Sequence, residues 1–356
     1  MKFLIILLLL NSLGDCNIKI MPDHLPYYKH SSEKELHISY GQKISPHFQK
    51  VPLRYFTGEK NFKLAYKIFK VKDEKAAIVI SNGRTESLLK YQELIFELNS
   101  NGYSVYIYDH RGQGFSQRIN PKKPQMGDIE SFDYYVHDLN TFVEKIVKKE
   151  PHKKLFLLSH SMGGAIASLY LEQHADIFDA AVFSSPMHQP KLISKVTTDL
   201  LCHMLKYDPR NIEYAPGEGK YRQAHSFDSD SNILTHSLIR FAIAENEYAA
   251  HKEVQLGGPS TRWVVESCHA SRRAVSNAGK IKTPFLLLQA GGDKIVNLSP
   301  QEQFCSNSKK MCYGYKIPDA DHELFMESDI YRDQALSTIL TFFDNFAESF
   351  KLKKEK

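Results

Sequence analysis

Between residues 76 and 184 the chain alternates short apolar runs with longer stretches of helical spacing, and nothing else in it limits the fold as much. The runs AAIVIS (76–81), YSVYIY (103–108), KLFLLS (154–159) and AAVFS (180–184) are too short for buried helices and are apolar on both faces. Between them, residues 88–98, 132–149 and 162–173 have amphipathic helical periods. Strands that are apolar on both faces must be covered on both. The pattern therefore predicts an α/β fold, a mostly parallel sheet with helices on each side. Ahead of it, residues 51–56 and 62–71 alternate apolar and polar positions around Gly58-Glu59-Lys60-Asn61, as two strands joined by a turn would.

The alternation stops after Pro186 and resumes at PFLLLQ (284–289). A structureless connection of that length does not fit a compact domain. Residues 188–282 are therefore expected to form a helical cap inserted between core strands, with helical periods at 192–205, 232–245 and 262–278. A last strand at 312–317 and a closing helix at 331–350 complete a core expected from residues 49–187 and 283–350. Residues 15–48 carry no motif that places them, and 351–356 form a basic tail.

Charge is nearly balanced, with 46 Lys plus Arg against 41 Asp plus Glu for a net +5, which argues against a dedicated nucleic-acid binder. At the N-terminus only residues 3–10 are uninterruptedly apolar, whereas a membrane-spanning helix needs about 20. With Lys2 before this run and small residues Ser12 and Gly14 after it, residues 1–14 read as a secretory signal peptide. The expectation is export to the periplasm, the cell envelope or the medium. Cys16 just behind the run leaves a lipoprotein form open. The five cysteines lack the C-x-x-C spacing of zinc sites. In an oxidising compartment Cys202, Cys268, Cys305 and Cys312 could form two bridges, Cys305 to Cys312 being the easier pairing, and four reduced thiols are the alternative.

The chemistry sits at the end of the run 154–159. Ser159-His160-Ser161-Met162-Gly163-Gly164 passes directly from strand to helix, as a nucleophile elbow does: small residues flank the serine because strand and helix approach closely at a strained turn. Ser159 replaces the usual first glycine. In this architecture an acid and then a histidine follow the serine. Asp293 stands in a glycine-rich loop after the strand at 284–289, and His322 stands in the loop after the last strand, on the sheet edge where open α/β sheets bind ligands. His160, in a strand beside the serine, is expected to face the other way. The motif H-E-x-x-H is absent, which disfavours zinc. Two amides are candidates to hold an oxyanion: Met162, after the nucleophile, and Arg84, after the glycine of Asn82-Gly83-Arg84-Thr85-Glu86-Ser87. A third loop, Asp109-His110-Arg111-Gly112-Gln113-Gly114, lacks the third glycine of a dinucleotide fingerprint and is read as a structural turn.

These loops, with His160-Ser161-Met162-Gly163-Gly164-Ala165, Gly257-Gly258-Pro259 ahead of Trp263, and Leu286-Leu287-Leu288-Gln289-Ala290, resemble α/β-hydrolases of the monoacylglycerol-lipase-like branch, above all its bacterial lysophospholipases. The resemblance covers roughly residues 50 to 348. It implies a serine carboxylic ester hydrolase that releases fatty acid from a lysophospholipid or monoacylglycerol through an acyl-enzyme. Its lipid would be met at a membrane or micelle surface, without metal, organic cofactor, nucleic acid or protein partner. A serine peptidase of the same fold is the alternative. Where monoacylglycerol lipases usually begin the first loop His-Gly, this chain has Asn82-Gly83, and Arg84 stands in place of a small residue. Arg84, Glu86 and Lys90 are accordingly expected to meet the substrate's head group, an Arg84–Glu86 pair of purely structural use being the competing reading.

Overall fold

In the computed structural model, residues 28–191, 202, 207–223, 227 and 232–348 are described, together with the backbone of 19–20. The expected signal peptide, Cys16, the helix at 192–205 save Cys202, and the basic tail lie outside them. Among the described residues no helix is long and apolar enough to cross a membrane.

One sheet of nine strands organises the chain, in the order β1-β9-β8-β7-β6-β4-β5-β3-β2. β1 (Lys19–Ile20) pairs with the outer edge of β9, and β2 (Arg54–Thr57) and β3 (Lys63–Phe69) form an antiparallel pair at the other end. Between them β4 (Ala76–Ser81), β5 (Tyr103–Tyr108), β6 (Leu155–His160), β7 (Ala180–Ser184), β8 (Phe285–Ala290) and β9 (Cys312–Ile317) run parallel. Every residue of β4 to β8 is buried, as continuous apolar runs require when both faces are covered.

Two apolar cores result, one on each face. On one, helices Asp133–Lys145, Met162–Leu171 and Thr261–Asn277 pack with Phe304 of Leu298–Asn307; on the other, Gln92–Ser100 and Asp329–Glu348 pack with Phe48. The chain leaves β4 toward β5 on one side and returns on the other side as β6. This reversal opens the crevice at the carboxyl ends of β4 and β6.

The inserted segment departs from expectation at its far end. Helix Thr261–Asn277, counted with the cap, belongs to the covering layer of the core: Val264, Cys268, Ser271 and Val275 are buried at four- and three-residue steps, and Trp263, Val264, Cys268, Ala274 and Val275 join the cluster that holds Met162 and Leu169. The neighbouring helix spans Leu238–Ala250, later than the period suggested, because the Ser237 hydroxyl accepts from the Arg240 amide and caps it there. It buries few of its own apolar side chains and is tied down by charge. Fully buried Arg240 bonds Glu93 of helix Gln92–Ser100 at 3.0 Å and Asp329 at 2.8 Å, while Arg332 of the closing helix bonds Glu97 at 2.6 Å.

Residues 28–48, part of the segment unplaced by sequence, brace this junction. Glu33–Ser39 lies by the cap helix, where Ser237 donates to Glu33 and Tyr40 to Glu247, and the Ser31 amide donates to Glu97 at 2.6 Å. Disulfides join Cys202 to Cys268 and Cys305 to Cys312, with Cα atoms 5.7 and 5.3 Å apart.

Candidate active site

The site begins with the pairing of β4 and β6. Ser81 lies opposite Ser159, so the loop leaving β4 and the turn leaving β6 start side by side. Ser161 adopts φ 50°, ψ −117°, a strained conformation for a residue with a Cβ, and its amide donates to the Ser184 carbonyl of β7. The next helix starts at Met162. Gly163 must be glycine because a Cβ there would overlap the carbonyl oxygens of Ser81 and Asn82, and one on Gly164 would overlap Pro186. A serine at 159 is tolerated because its hydroxyl turns away to donate to the Val182 carbonyl.

Neighbouring strands carry the other two groups to the same edge. Asp293 follows β8 through Gly291-Gly292, and His322 follows β9, the adjacent strand. His322 Nδ1 lies 2.7 Å from Asp293 Oδ2, and its Nε2 lies 2.9 Å from the Ser161 hydroxyl. All three residues are buried or nearly so. Asp293 Oδ1 accepts from the amides of Ile295 and Val296 at 2.8 and 3.0 Å, which fixes the carboxylate's orientation. Burial pushes its carboxyl up, but the His322 charge, the bond to it and these two amides outweigh that, and the net shift is downward. An ionised acceptor on Nδ1 sets the tautomer in which Nε2 is free to take a proton from the serine.

Met162 occupies the first turn of its helix, where an amide has no helical carbonyl to bond, so it is available at the elbow. The second expected amide, Arg84, lies in a loop held from three sides. Gln113 donates to the carbonyls of Gly83 and Glu86 at 2.7 and 2.9 Å, Asp109 accepts from the Leu88 amide at 2.6 Å, and Glu86 accepts from the Gly83 amide. Within it Thr85 has φ 60°. The turn from Asp109 to Gly114 is thus the cradle of this loop. That role was not visible in sequence, although the motif itself was.

Three expectations about neighbouring residues are corrected. Glu86 and Lys90 do not present free charge to a ligand: the Lys90 ammonium sits 3.1 Å from Glu86 and also bonds Glu323, while Glu86 further accepts from Tyr91 at 2.6 Å. Burial opposes ionisation of Glu86, but Lys90, His160, Tyr91 and the Gly83 amide together hold its carboxyl below the usual range. Nor does an Arg84–Glu86 pair form. Arg84 turns the other way, donating Nη2 to the Gly257 carbonyl at 2.6 Å with its guanidinium 5.1 Å over the Trp263 ring, and its buried Nε has no partner among the described residues. His160 does not face away from the site. Its ring centroid is 4.9 Å from that of His322, its Nε2 is 3.7 Å from Glu86, and burial lowers its pKa to about 4, so it is a neutral neighbour. β6 ends at His160 and the strained turn begins at Ser161, so strand alternation does not relate the two side chains.

A cavity of about 470 Å³ is lined by Arg84 and Lys90, by Glu323 and Met326, and by Phe241, Tyr248 and Leu256 of the inserted segment. Beside His322, the group His236, Asp321 and Glu327 brings possible ligand atoms within 4.8 Å of one another. Both oxygens of Glu327 already accept hydrogen bonds, from the His236 ring and the amides of His236, Asp321 and Ser328. The group serves as a clasp between the inserted segment and the histidine loop.

A serine on a strained strand-to-helix turn, with His322 and Asp293 supplied by the next strands of one parallel sheet, defines a serine hydrolase of the α/β-hydrolase fold. The chain belongs to the hydrolase family described as serine aminopeptidase, S33, which matches residues 72–329. Among curated relatives, the probable lysophospholipase L2 of Haemophilus influenzae is 33% identical over 302 residues, spanning 83% of this chain and 93% of that one. Human monoglyceride lipase is 27% identical over 224 residues, 63% of this chain and 67% of its own length. In architecture the chain is similar to a soluble variant of the Saccharomyces cerevisiae monoglyceride lipase, with a TM-score of 0.66 and 19% identity over 83% of this chain and 96% of that one.

Proposed function

We propose that this chain hydrolyses the carboxylic ester of a lysophospholipid or monoacylglycerol, with Ser161 as nucleophile, His322 as general base and then acid, and Asp293 as the group that orients the imidazole. The observation that carries this reading is the continuous hydrogen-bonded line from Ser161 through His322 to Asp293. Ser161 attacks the carbonyl carbon as His322 takes its proton, and the Met162 and Arg84 amides stabilise the oxyanion. The leaving alcohol takes the proton from His322. Water then attacks the acyl-enzyme by the same route and releases the fatty acid. The relatives at 33% identity, named as lysophospholipases, favour a lipid ester over the peptide bond in the family's description.

Arg84 supports the charged head group. Arg84 lines the cavity, and its guanidinium, held on the Gly257 carbonyl and over Trp263, supplies positive charge at that wall for a phosphate group. Lysophosphatidylcholine is expected to be cleaved faster than monoolein. Arg84→Ala narrows that ratio by roughly tenfold, the worth of one charge-assisted contact, while a short p-nitrophenyl ester is still hydrolysed because the backbone amide remains. A ratio unchanged by Arg84→Ala leaves the guanidinium with the structural role its bond to Gly257 already gives it. Faster release from an aminoacyl amide than from either lipid would favour the peptidase reading.

Export belongs to the same proposal, and lipid breakdown would then take place outside the cytoplasm. It is supported by the short apolar run at residues 3–10 and by the two disulfides, which persist in oxidising compartments. Intact mass of protein from the native host should show a start near Asp15 or a lipid-modified Cys16. A mature chain that retains Met1 would contradict it.

A further inference from the structure

The buried pairing of Lys90 with both Glu86 and Glu323 has no place in the reaction as written above. The side chains of Lys90, Glu86 and Glu323 are only 10%, 5% and 12% exposed. Each carboxylate belongs to a different half of the site. Glu86 accepts from the Gly83 amide and so holds the turn that presents the Arg84 amide; Glu323 directly follows His322, and its own amide donates to the Leu234 carbonyl of the inserted segment. Burying three charges is costly unless each is paired, and a cluster whose only service was stability could be replaced by apolar packing at little loss. Its position between two loops that must agree to within a fraction of an ångström points elsewhere.

We propose that Lys90 is a positioning residue for hydrolysis: by bridging Glu86 and Glu323 it sets the oxyanion loop and His322 in one register and balances the negative charge beside the imidazole. This rests on the assignment of Ser161 and His322 given above. The charged and titratable groups around His322 and the Lys90 cluster are Asp293 from the loop after β8, His160 from β6, Asp321 and Glu323 from the histidine loop, Glu86 and Tyr91 from the oxyanion loop and the turn after it, Tyr248 beside Lys90, and His236 beside Asp321. With both carboxylates ionised, Glu86, Lys90 and Glu323 sum to one negative charge.

Charge and tether can be varied separately. Lys90→Met leaves two negative charges and no tether. Glu323→Gln removes a negative charge and keeps an oxygen for the ammonium to bond. The double variant restores the charge and not the tether, and Lys90→Arg keeps both. The measurements are kcat, KM and the pH dependence of kcat/KM on p-nitrophenyl butyrate. The acid limb follows His322, which must be neutral to act. Added negative charge stabilises imidazolium, so Lys90→Met is expected to move the limb to higher pH by roughly one unit and Glu323→Gln to lower pH, with the double variant near wild type. Lys90→Met should lower kcat about thirtyfold with KM within about threefold, the double variant should stay low, and Lys90→Arg should recover most of the rate.

Wild-type kcat and limb in Lys90→Met overturn the proposal, as do limb shifts of the same sign in the two single variants. If Lys90→Met fails to fold, Glu323→Gln decides alone: an unmoved limb overturns the charge balance that the proposal requires. Fluorophosphonate labelling of wild-type Ser161 separates the two levels. Labelled serine with indifferent Lys90 variants removes only this inference, whereas absent labelling removes the reading on which it stands.

Discussion

Ser161→Ala should fold and lose hydrolysis by about three to six orders of magnitude in kcat, since removing the nucleophile of an acyl-transfer triad leaves only binding and the oxyanion donors. The fold should tolerate the change. Among the described side chains the hydroxyl bonds only His322, and alanine keeps the Cβ already accommodated at φ 50°. Thermal unfolding within a few degrees of wild type is therefore the expected control, and reaction of a fluorophosphonate with the protein should disappear. Turnover within tenfold of wild type would show that Ser161 is not the nucleophile, and the ester-hydrolase mechanism would fall with it.

Asp293→Asn is expected to cost about 10⁴ in kcat, with KM little changed, because the amide nitrogen cannot accept from Nδ1–H. The imidazole then carries its proton on Nε2 and cannot take the serine's. Structure should again survive. Asparagine keeps an oxygen where Asp293 Oδ1 accepts from Ile295 and Val296, so the loop after β8 retains its turn. The pH profile is a second check. A carboxyl held below its usual value contributes stability above its unfolded pKa and loses it as pH falls through the lowered one, so Asp293 remains ionised across the working range. The acid limb of wild-type kcat/KM should accordingly follow the imidazole. A loss below tenfold in Asp293→Asn would place the orienting acid elsewhere.

The order of the catalytic elements could be read before the structure because the signals are local. Uniformly apolar runs fix strands buried on both faces, small residues around Ser161 fix the elbow, and an acid and a histidine each stand in the first loop after a strand. Parallel strands all end on the same edge. Once the runs were strands, the loops carrying Asn82 to Arg84, Ser161, Asp293 and His322 had to meet there.

Three-dimensional structure decided whatever depends on partners distant in sequence. An amphipathic period shows that helix Thr261–Asn277 has a buried face but not what it lies against, and the answer was the elbow helix of the core. From its own segment Lys90 reads as a positive charge offered to the head group. Only the fold brings Glu323, 233 positions away, onto its ammonium, and only the fold aligns Arg240 with Glu93 across 147 positions. Alternation along β6 gave the wrong face for His160, because the strand ends there and the positive φ of Ser161 turns the serine out of the alternation on which that reading relied. The sequence by itself therefore determined the sheet, its order of chemistry and its sites of strain, each written in spacings of a few residues. The registration of one loop against another, through buried charges whose pairing leaves no local period, belonged to the tertiary structure.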